Sequence, residues 1–146
     1  MDEENFIVCE EGEIYKSNID YPFNAETYKI IGACMSVHTE LGAGFNEIIY
    51  KDALEIEFEM RDIHFRREEE FNVFYKGIQL RRKYYADFIA LDHVVLEIKA
   101  GRDPMESFYK QTINYLKVSK LRIALIVNFG TDKLQYKRVI FNHDKK

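Results

Sequence analysis

Glu97-Ile98-Lys99 is the segment whose residue types and spacing could do chemistry. Side chains alternate along a strand, so Glu97 and Lys99 would share one face while Ile98 points to the other. Asp87 stands upstream, across a short Asp92-His93 turn. Counting back from that turn sets Asp87 opposite Glu97 or Ile98, so the carboxyls could converge with an ammonium beside them. Paired carboxylates hold a hard cation such as Mg2+ through oxygen, with water and phosphate in the other positions. Such an ion polarises a phosphoryl oxygen and activates a water. Lys99 could orient that water or offset charge in the transition state, and the backbone carbonyl of Ile98 is a further possible ligand. The same residues also fit a solvated, salt-bridged sheet face.

Other residues have comparable dual readings. Glu47 falls in the first turn of a helix, where a carboxylate is favoured by the helix dipole alone. Tyr50 follows one turn later, as a core residue would. Gln111 and Tyr115 stand at i and i+4 and so share a helix face, which suits packing with a polar edge as well as it suits a binding role.

The elements that must position these residues can be read from periodicity. A helix is expected to begin at Asn24 as N-cap, with Phe23 and Tyr28 at hydrophobic-staple spacing. Tyr28, Ile31, Met35 and His38 continue at helical intervals, and Gly42-Ala43-Gly44 ends the run. A second helix is expected from about Phe45 to Arg61, with Ile49, Tyr50, Ala53, Leu54 and Phe58 as its apolar stripe. Residues 64–75 read as a strand, Lys76-Gly77 as a hairpin turn, and Ile78 to Leu91 as a long second strand. Val94 to Ala100 is the third. Asp103-Pro104-Met105-Glu106 reads as a helix start with Asp103 as N-cap and Pro104 first in the helix; this helix runs to about Val118. Leu121 to Phe129 reads as a strand buried on both faces, and Leu134 to Phe141 as the last strand. Strands in a meander, then a helix crossover and a buried strand, predict an α/β fold with a mixed sheet flanked by helices.

The chain of 146 residues suits one domain. It is expected to have an N-terminal arm over 1–22, with a short strand possible at Phe6–Cys9, and a frayed tail over 142–146. Hydrophobic residues make up 47% and aromatic residues 14%, which argues against disorder. Apolar runs such as Ile123 to Val127 are far short of a membrane span, and the acidic start lacks the pattern of a signal peptide. Cys9 and Cys34 make neither a disulfide framework nor a zinc site, so a cytoplasmic protein with free thiols is expected. The net charge of −4 counts against a wholly nucleic-acid-gripping surface. It still allows a local basic groove beside an acidic centre.

Taken together, these segments resemble a known family. His38-Thr39-Glu40-Leu41-Gly42-Ala43-Gly44-Phe45-Asn46-Glu47-Ile48-Ile49-Tyr50 is similar to the signature of the GxxExxY proteins, which belong to the PD-(D/E)XK nuclease-like superfamily. The resemblance continues through Tyr85-Ala86-Asp87-Phe88, Leu96-Glu97-Ile98-Lys99-Ala100, Gln111 to Lys117 and Ile126 to Gly130, spanning roughly residues 25 to 130. It implies the superfamily's restriction-endonuclease-like αβββαβ core and Mg2+- or Mn2+-dependent cleavage of DNA. It also implies Asp87 and Glu97 as acidic metal ligands, Lys99 as the motif lysine, Glu47 as a helix-borne acid completing the site, and Gln111 with Tyr115 as a Q-x-x-x-Y element lining it. Ala86 stands where the motif usually has proline, a position that varies widely in the superfamily.

Arg81 and Lys83 have the same parity as Asp87. On a regular strand they would form a basic line leading to the site, or else a solvated edge that resists aggregation. Arg66, Arg67, Lys137 and Arg138 are further basic candidates. His38, though inside the matched signature, reads better as a structural residue than as a ligand. The leading expectation is a metal-dependent DNA nuclease; the alternative is a catalytically silent binding or interaction module of the same fold, and a homodimer is compatible with either.

Overall fold

The computed structural model describes residues 6–9 and 23–143; the rest of the expected arm and residues 144–146 of the expected tail lie outside the described residues. Its elements are β1 (Phe6–Cys9), α1 (Asn24–Leu41), α2 (Glu47–Met60), β2 (Phe65–Tyr75), β3 (Ile78–Ala90), β4 (Val94–Lys99), a 3-10 turn (Met105–Phe108), α3 (Tyr109–Ser119), β5 (Ile123–Asn128) and β6 (Gln135–Phe141). The strands form one mixed sheet in the order β1-β6-β5-β4-β3-β2. Only β4 and β5 run parallel, and α3 makes the crossover a parallel pair needs. This is an α/β architecture consistent with a restriction-endonuclease-like domain.

The centre of the sheet is buried on both faces. Every residue of β5 is buried, as its unbroken apolar run predicts. One face carries a core in which Ile30, Cys34, Tyr50, Leu54 and Phe58 of α1 and α2 meet Phe88, Leu96, Leu125 and Val127. The opposite face carries Ile113, Tyr115 and Leu116 of α3 against Ile89, Val95, Ala124 and Ile126. β2 and β3 join through Lys76-Gly77, both at positive φ (50° and 79°), as a tight hairpin turn requires.

Helix ends depart from the expected caps. Asn24 is the first residue of α1, not its cap; Phe23 holds that place at φ 58° and stacks on the His93 ring at 4.4 Å. Tyr28 is 64% exposed, so no staple forms. The buried face of α1 is instead Thr27, Ile30, Ile31, Ala33, Cys34, Val37 and His38, and Met35 is exposed. Ala33 and Cys34 belong to the buried core, whereas Tyr28 and Met35 face outward. Pro104 has an extended backbone (ψ 145°) and precedes a 3-10 turn, so neither it nor Asp103 opens α3. Ile49 of α2 is 40% exposed. In its stead the buried face of α2 includes Lys51. No helix among the described residues is long and apolar enough to cross a membrane.

The β2–β3 ribbon rolls part-way along its length. Ala86 packs in the α3-side core, whereas Phe88 packs in the opposite core. Residues two apart on a regular strand would share a face. The roll coincides with Glu68, whose φ of 53° lies in the left-handed region that a non-glycine residue seldom enters. The flanking pairs Arg67–Phe88 and Glu69–Ala86 set Glu68 across from Asp87.

Candidate active site

The chemistry-bearing residues lie where β3 parts from β4. The Lys99 carbonyl accepts the Phe129 N–H at 2.8 Å, so Lys99 turns its backbone groups toward β5. Backbone groups alternate along a strand, and Ile98 therefore presents its N–H and C=O toward β3. Regular pairing of β3 with β4 ends at Phe88–Leu96. One residue beyond, the Asp87 side chain takes over: its Oδ2 accepts the Ile98 N–H at 2.7 Å. Continuing the register by one pair sets Asp87 beside Glu97. The Ile98 carbonyl is turned into the same opening.

Glu97 is 4% exposed, and its Oε1 has no hydrogen-bond partner. Burial pushes its carboxyl well above the usual carboxylate range and the Asp87 charge adds to this; Lys99, the Asp87 backbone N–H and Lys51 pull less strongly the other way. A buried, unpartnered carboxylate oxygen beside a second carboxylate is costly unless a proton or a cation compensates it. The oxygen-rich donor set and this orphaned atom both fit a hard divalent ion. Among the described residues, no three His, Cys, Asp or Glu side chains are gathered closely enough to hold one. Glu47 lies exposed on the first turn of α2 and is not brought to Asp87 and Glu97.

Lys99 is half-buried, with its Nζ 4.6 Å from the Phe108 ring centroid. The ring of the 3-10 turn thus supports the ammonium from one side through cation–π attraction. Tyr115 is 8% exposed, edge-on to Tyr84 at 5.2 Å. Burial, and then the charges of Glu97 and Asp87, hold its phenol above the ordinary tyrosine range, so it stays protonated next to the acids. Gln111 is exposed, one turn earlier on α3.

The expected basic line is not assembled. Lys83 is ion-paired with Glu70. Arg81 is exposed on the outer half of β3. Arg66 pairs with Asp92 and Glu69, and Arg67 with Asp52 and Glu55. Arg138 is 3% exposed with its Nε 3.2 Å from Thr27 Oγ1, so it is an internal residue.

Lys51 and Glu68 escaped the sequence reading. The Lys51 ammonium bonds to Asp87 Oδ1 at 2.9 Å and to Glu68. Burial lowers its affinity for a proton, but the hydrogen bonds to Glu68 and Asp87 outweigh this, so Lys51 is held charged. A signal was present: Lys51, Leu54 and Phe58 recur at helical spacing, which puts a charge inside an apolar stripe, and a buried lysine needs a partner.

The surrounding loops are pinned to the sheet. Tyr50 Oη donates to the Gly42 carbonyl at 2.5 Å, accepts the Phe45 N–H at 3.2 Å, and its ring stacks on Phe129 at 4.6 Å. Together with Gly44 at φ 113°, this fixes the turn that leads to Glu47. His38 Nε2 meets the Thr131 carbonyl at 2.9 Å, a structural link between α1 and the loop after β5. Asn128 Oδ1 accepts from the N–H groups of Gly101 and Gly130, and its Nδ2 donates to the Gly101 carbonyl. A cleft of about 390 Å³ opens beyond these loops; Arg102, Glu106, Asn128 and Gln135 line it, but not Asp87, Glu97 or Lys99.

Comparison with known proteins places the fold. The fold is similar to the crystal structure of SSO0001, with a TM-score of 0.54 and 17% identity over 90% of this chain and 74% of that one. No curated protein matches. A family model described as the PD-(D/E)XK nuclease superfamily matches residues 24–139, from the start of α1 into β6, and includes the Asp87, Glu97 and Lys99 positions. The chain belongs to the PD-(D/E)XK nuclease superfamily.

Proposed function

We propose that this protein is a divalent-metal-dependent deoxyribonuclease of the GxxExxY branch. The observation that carries the proposal is Glu97: a buried carboxylate with an orphaned oxygen, beside Asp87, at the point where the sheet opens. Asp87, Glu97 and the Ile98 carbonyl would hold Mg2+ or Mn2+. When bound, the ion would polarise the scissile phosphate and lower the pKa of a water. The chain's own residues do the rest. Lys99, steadied by Phe108, offers an ammonium that can orient the attacking water and offset phosphoryl charge. Tyr115 keeps its proton and can donate a hydrogen bond into the site. Gln111, exposed on the same helix, can contact substrate, while Arg81 and, on releasing Glu70, Lys83 can meet the phosphate backbone farther out. Glu47, exposed on the first turn of α2 and apart from Asp87 and Glu97, would be the helix-borne acid of this reading. A cytoplasmic location and a homodimer are part of this reading.

The test is cleavage of single-stranded, duplex, flap and junction DNA by pure protein with Mg2+ or Mn2+, beside a Lys99→Ala control. Metal-dependent cleavage that the control lacks supports the assignment; no cleavage above the control on any substrate overturns it. A second reading, a catalytically silent module of this fold, is favoured by one specific feature. Lys51 already provides a cation to Asp87, so the acids can be neutralised without an ion. That reading requires that Mn2+ show no Asp87-dependent binding at all.

A further inference from the structure

The cation on Asp87 invites an explanation of its own. Lysine is among the residues least often buried, yet the Lys51 side chain is only 11% exposed. It stands on the face of α2 that otherwise buries Tyr50, Leu54 and Phe58. Its ammonium spans Asp87 of β3 and Glu68 of β2, the residue with the left-handed backbone at the roll of the ribbon. Both Asp87 oxygens are thereby engaged: Oδ1 is bonded to Lys51 and Oδ2 to the Ile98 N–H. Glu97 is left with an unpartnered oxygen next door.

We propose that Lys51 is a built-in counter-cation that holds the metal-free site closed and must leave Asp87 Oδ1 for a divalent ion to bind. This rests on the metal-dependent reading above and adds how the site is gated. Mg2+ binds carboxylate oxygen at about 2.0–2.1 Å and retains its own waters. An ammonium hydrogen-bonded to the same oxygen crowds that shell and repels the ion. Glu68 gives the displaced ammonium a destination, because it is half exposed and already bonded to Lys51. The switch is therefore a short lateral move of one side chain, from a position shared between Asp87 and Glu68 to Glu68 alone. Lys51 is a positioning residue in this scheme, since it acts through Asp87 and touches no substrate.

The experiment is Mn2+ calorimetry on wild type, Lys51→Met, Asp87→Asn and the double variant, each checked for folding by circular dichroism. Lys51→Met is expected to bind Mn2+ at least tenfold more tightly than wild type, with the gain abolished by Asp87→Asn. In parallel, wild type carrying 15N-labelled lysine reports the Lys51 ammonium directly by NMR. Its resonance is expected to move on Mg2+ addition, with the midpoint of binding. If wild type binds Mn2+ through Asp87 while Lys51→Met binds equally or more weakly, the gating inference falls and the metal site stands. If neither protein shows Asp87-dependent binding, both fall. Should Lys51→Met not fold, the wild-type resonance decides: a Lys51 signal unmoved at saturating Mg2+ overturns the inference.

Discussion

Replacing Glu97 by Gln tests the electrostatics of the site without any substrate. In the metal-free protein, burial and the Asp87 charge raise the Glu97 carboxyl above the ordinary glutamate value of 4.5. Between 4.5 and the raised value the folded state keeps a proton that the unfolded state has lost. Stability linked to Glu97 is thus fully present below the ordinary value, falls as pH rises through that window, and levels off above it. The slope for one proton is at most about 1.4 kcal/mol per pH unit. A chain of 146 residues unfolds with an entropy of about 0.3 kcal/mol per degree, so the slope corresponds to about 4–5 °C per pH unit. Glu97→Gln cannot titrate. Its Tm relative to wild type should climb at up to that rate across the window, because the other ionisable groups are shared and cancel. Thermal unfolding in EDTA from about pH 4.5 to 8.5 reads this difference directly. Parallel Tm curves for the two proteins throughout would refute the reasoning, since they would mean that Glu97 has the same proton affinity folded and unfolded.

Other expectations follow from neighbouring contacts. Lys99→Ala should lower Tm by no more than about 3 °C, the loss of one cation–π contact worth about 0.5–1 kcal/mol, because Lys99 makes no ion pair among the described residues, while lowering DNA cleavage by about 10²–10³-fold; a larger stability loss would show that the lysine is structural. Gly130→Ala places a Cβ 2.4 Å from the Gly101 N and 2.7 Å from the Ala100 carbon, both backbone atoms, and should destabilise by about 2–4 kcal/mol in urea unfolding. Tyr50→Phe keeps the stack on Phe129 but strands the Phe45 N–H and Gly42 carbonyl; a cost of about 1–2 kcal/mol is expected in the same assay.

What could be read from the chain divides by the range of the interactions involved. The proximity of Asp87 to Glu97 was legible because a tight turn fixes local register, and the pairs Ala90–Val94, Ile89–Val95 and Phe88–Leu96 carry that register down the strands. The buried strand β5 was legible because an apolar run has no other home than the centre of the sheet. The caps of α1 and α3 were not. Phe23 is drawn onto His93 of a distant turn, and Pro104 is held extended before a 3-10 turn, so tertiary contacts override the local capping signal. The engagement of Lys83 by Glu70 is a cross-strand pairing that strand parity alone does not report. Helical spacing with Leu54 and Phe58 marks Lys51 as a buried charge, but its partners Glu68 and Asp87 lie on elements far apart in sequence, and no periodicity names them.

The roll of the ribbon also explains why the acids sit where they do. A strand paired on both sides has its backbone groups satisfied and its side chains committed to two faces. At Asp87 this regularity is broken: β3 has left β4, and the ribbon has turned between Ala86 and Phe88. The Ile98 N–H, left without a strand partner, must be satisfied because a buried amide without one costs about 1–3 kcal/mol. Asp87 supplies that bond with Oδ2 and is thereby fixed in orientation, with Oδ1 aimed toward α2 and Lys51. The same break leaves Glu97 facing an opening in place of a neighbouring strand, which is why its Oε1 can be buried and yet unpartnered. Restoring regular pairing would satisfy Ile98 through backbone alone and release Asp87. The pair is thus positioned by the strand contact that ends at Phe88–Leu96 as much as by the contacts that are made.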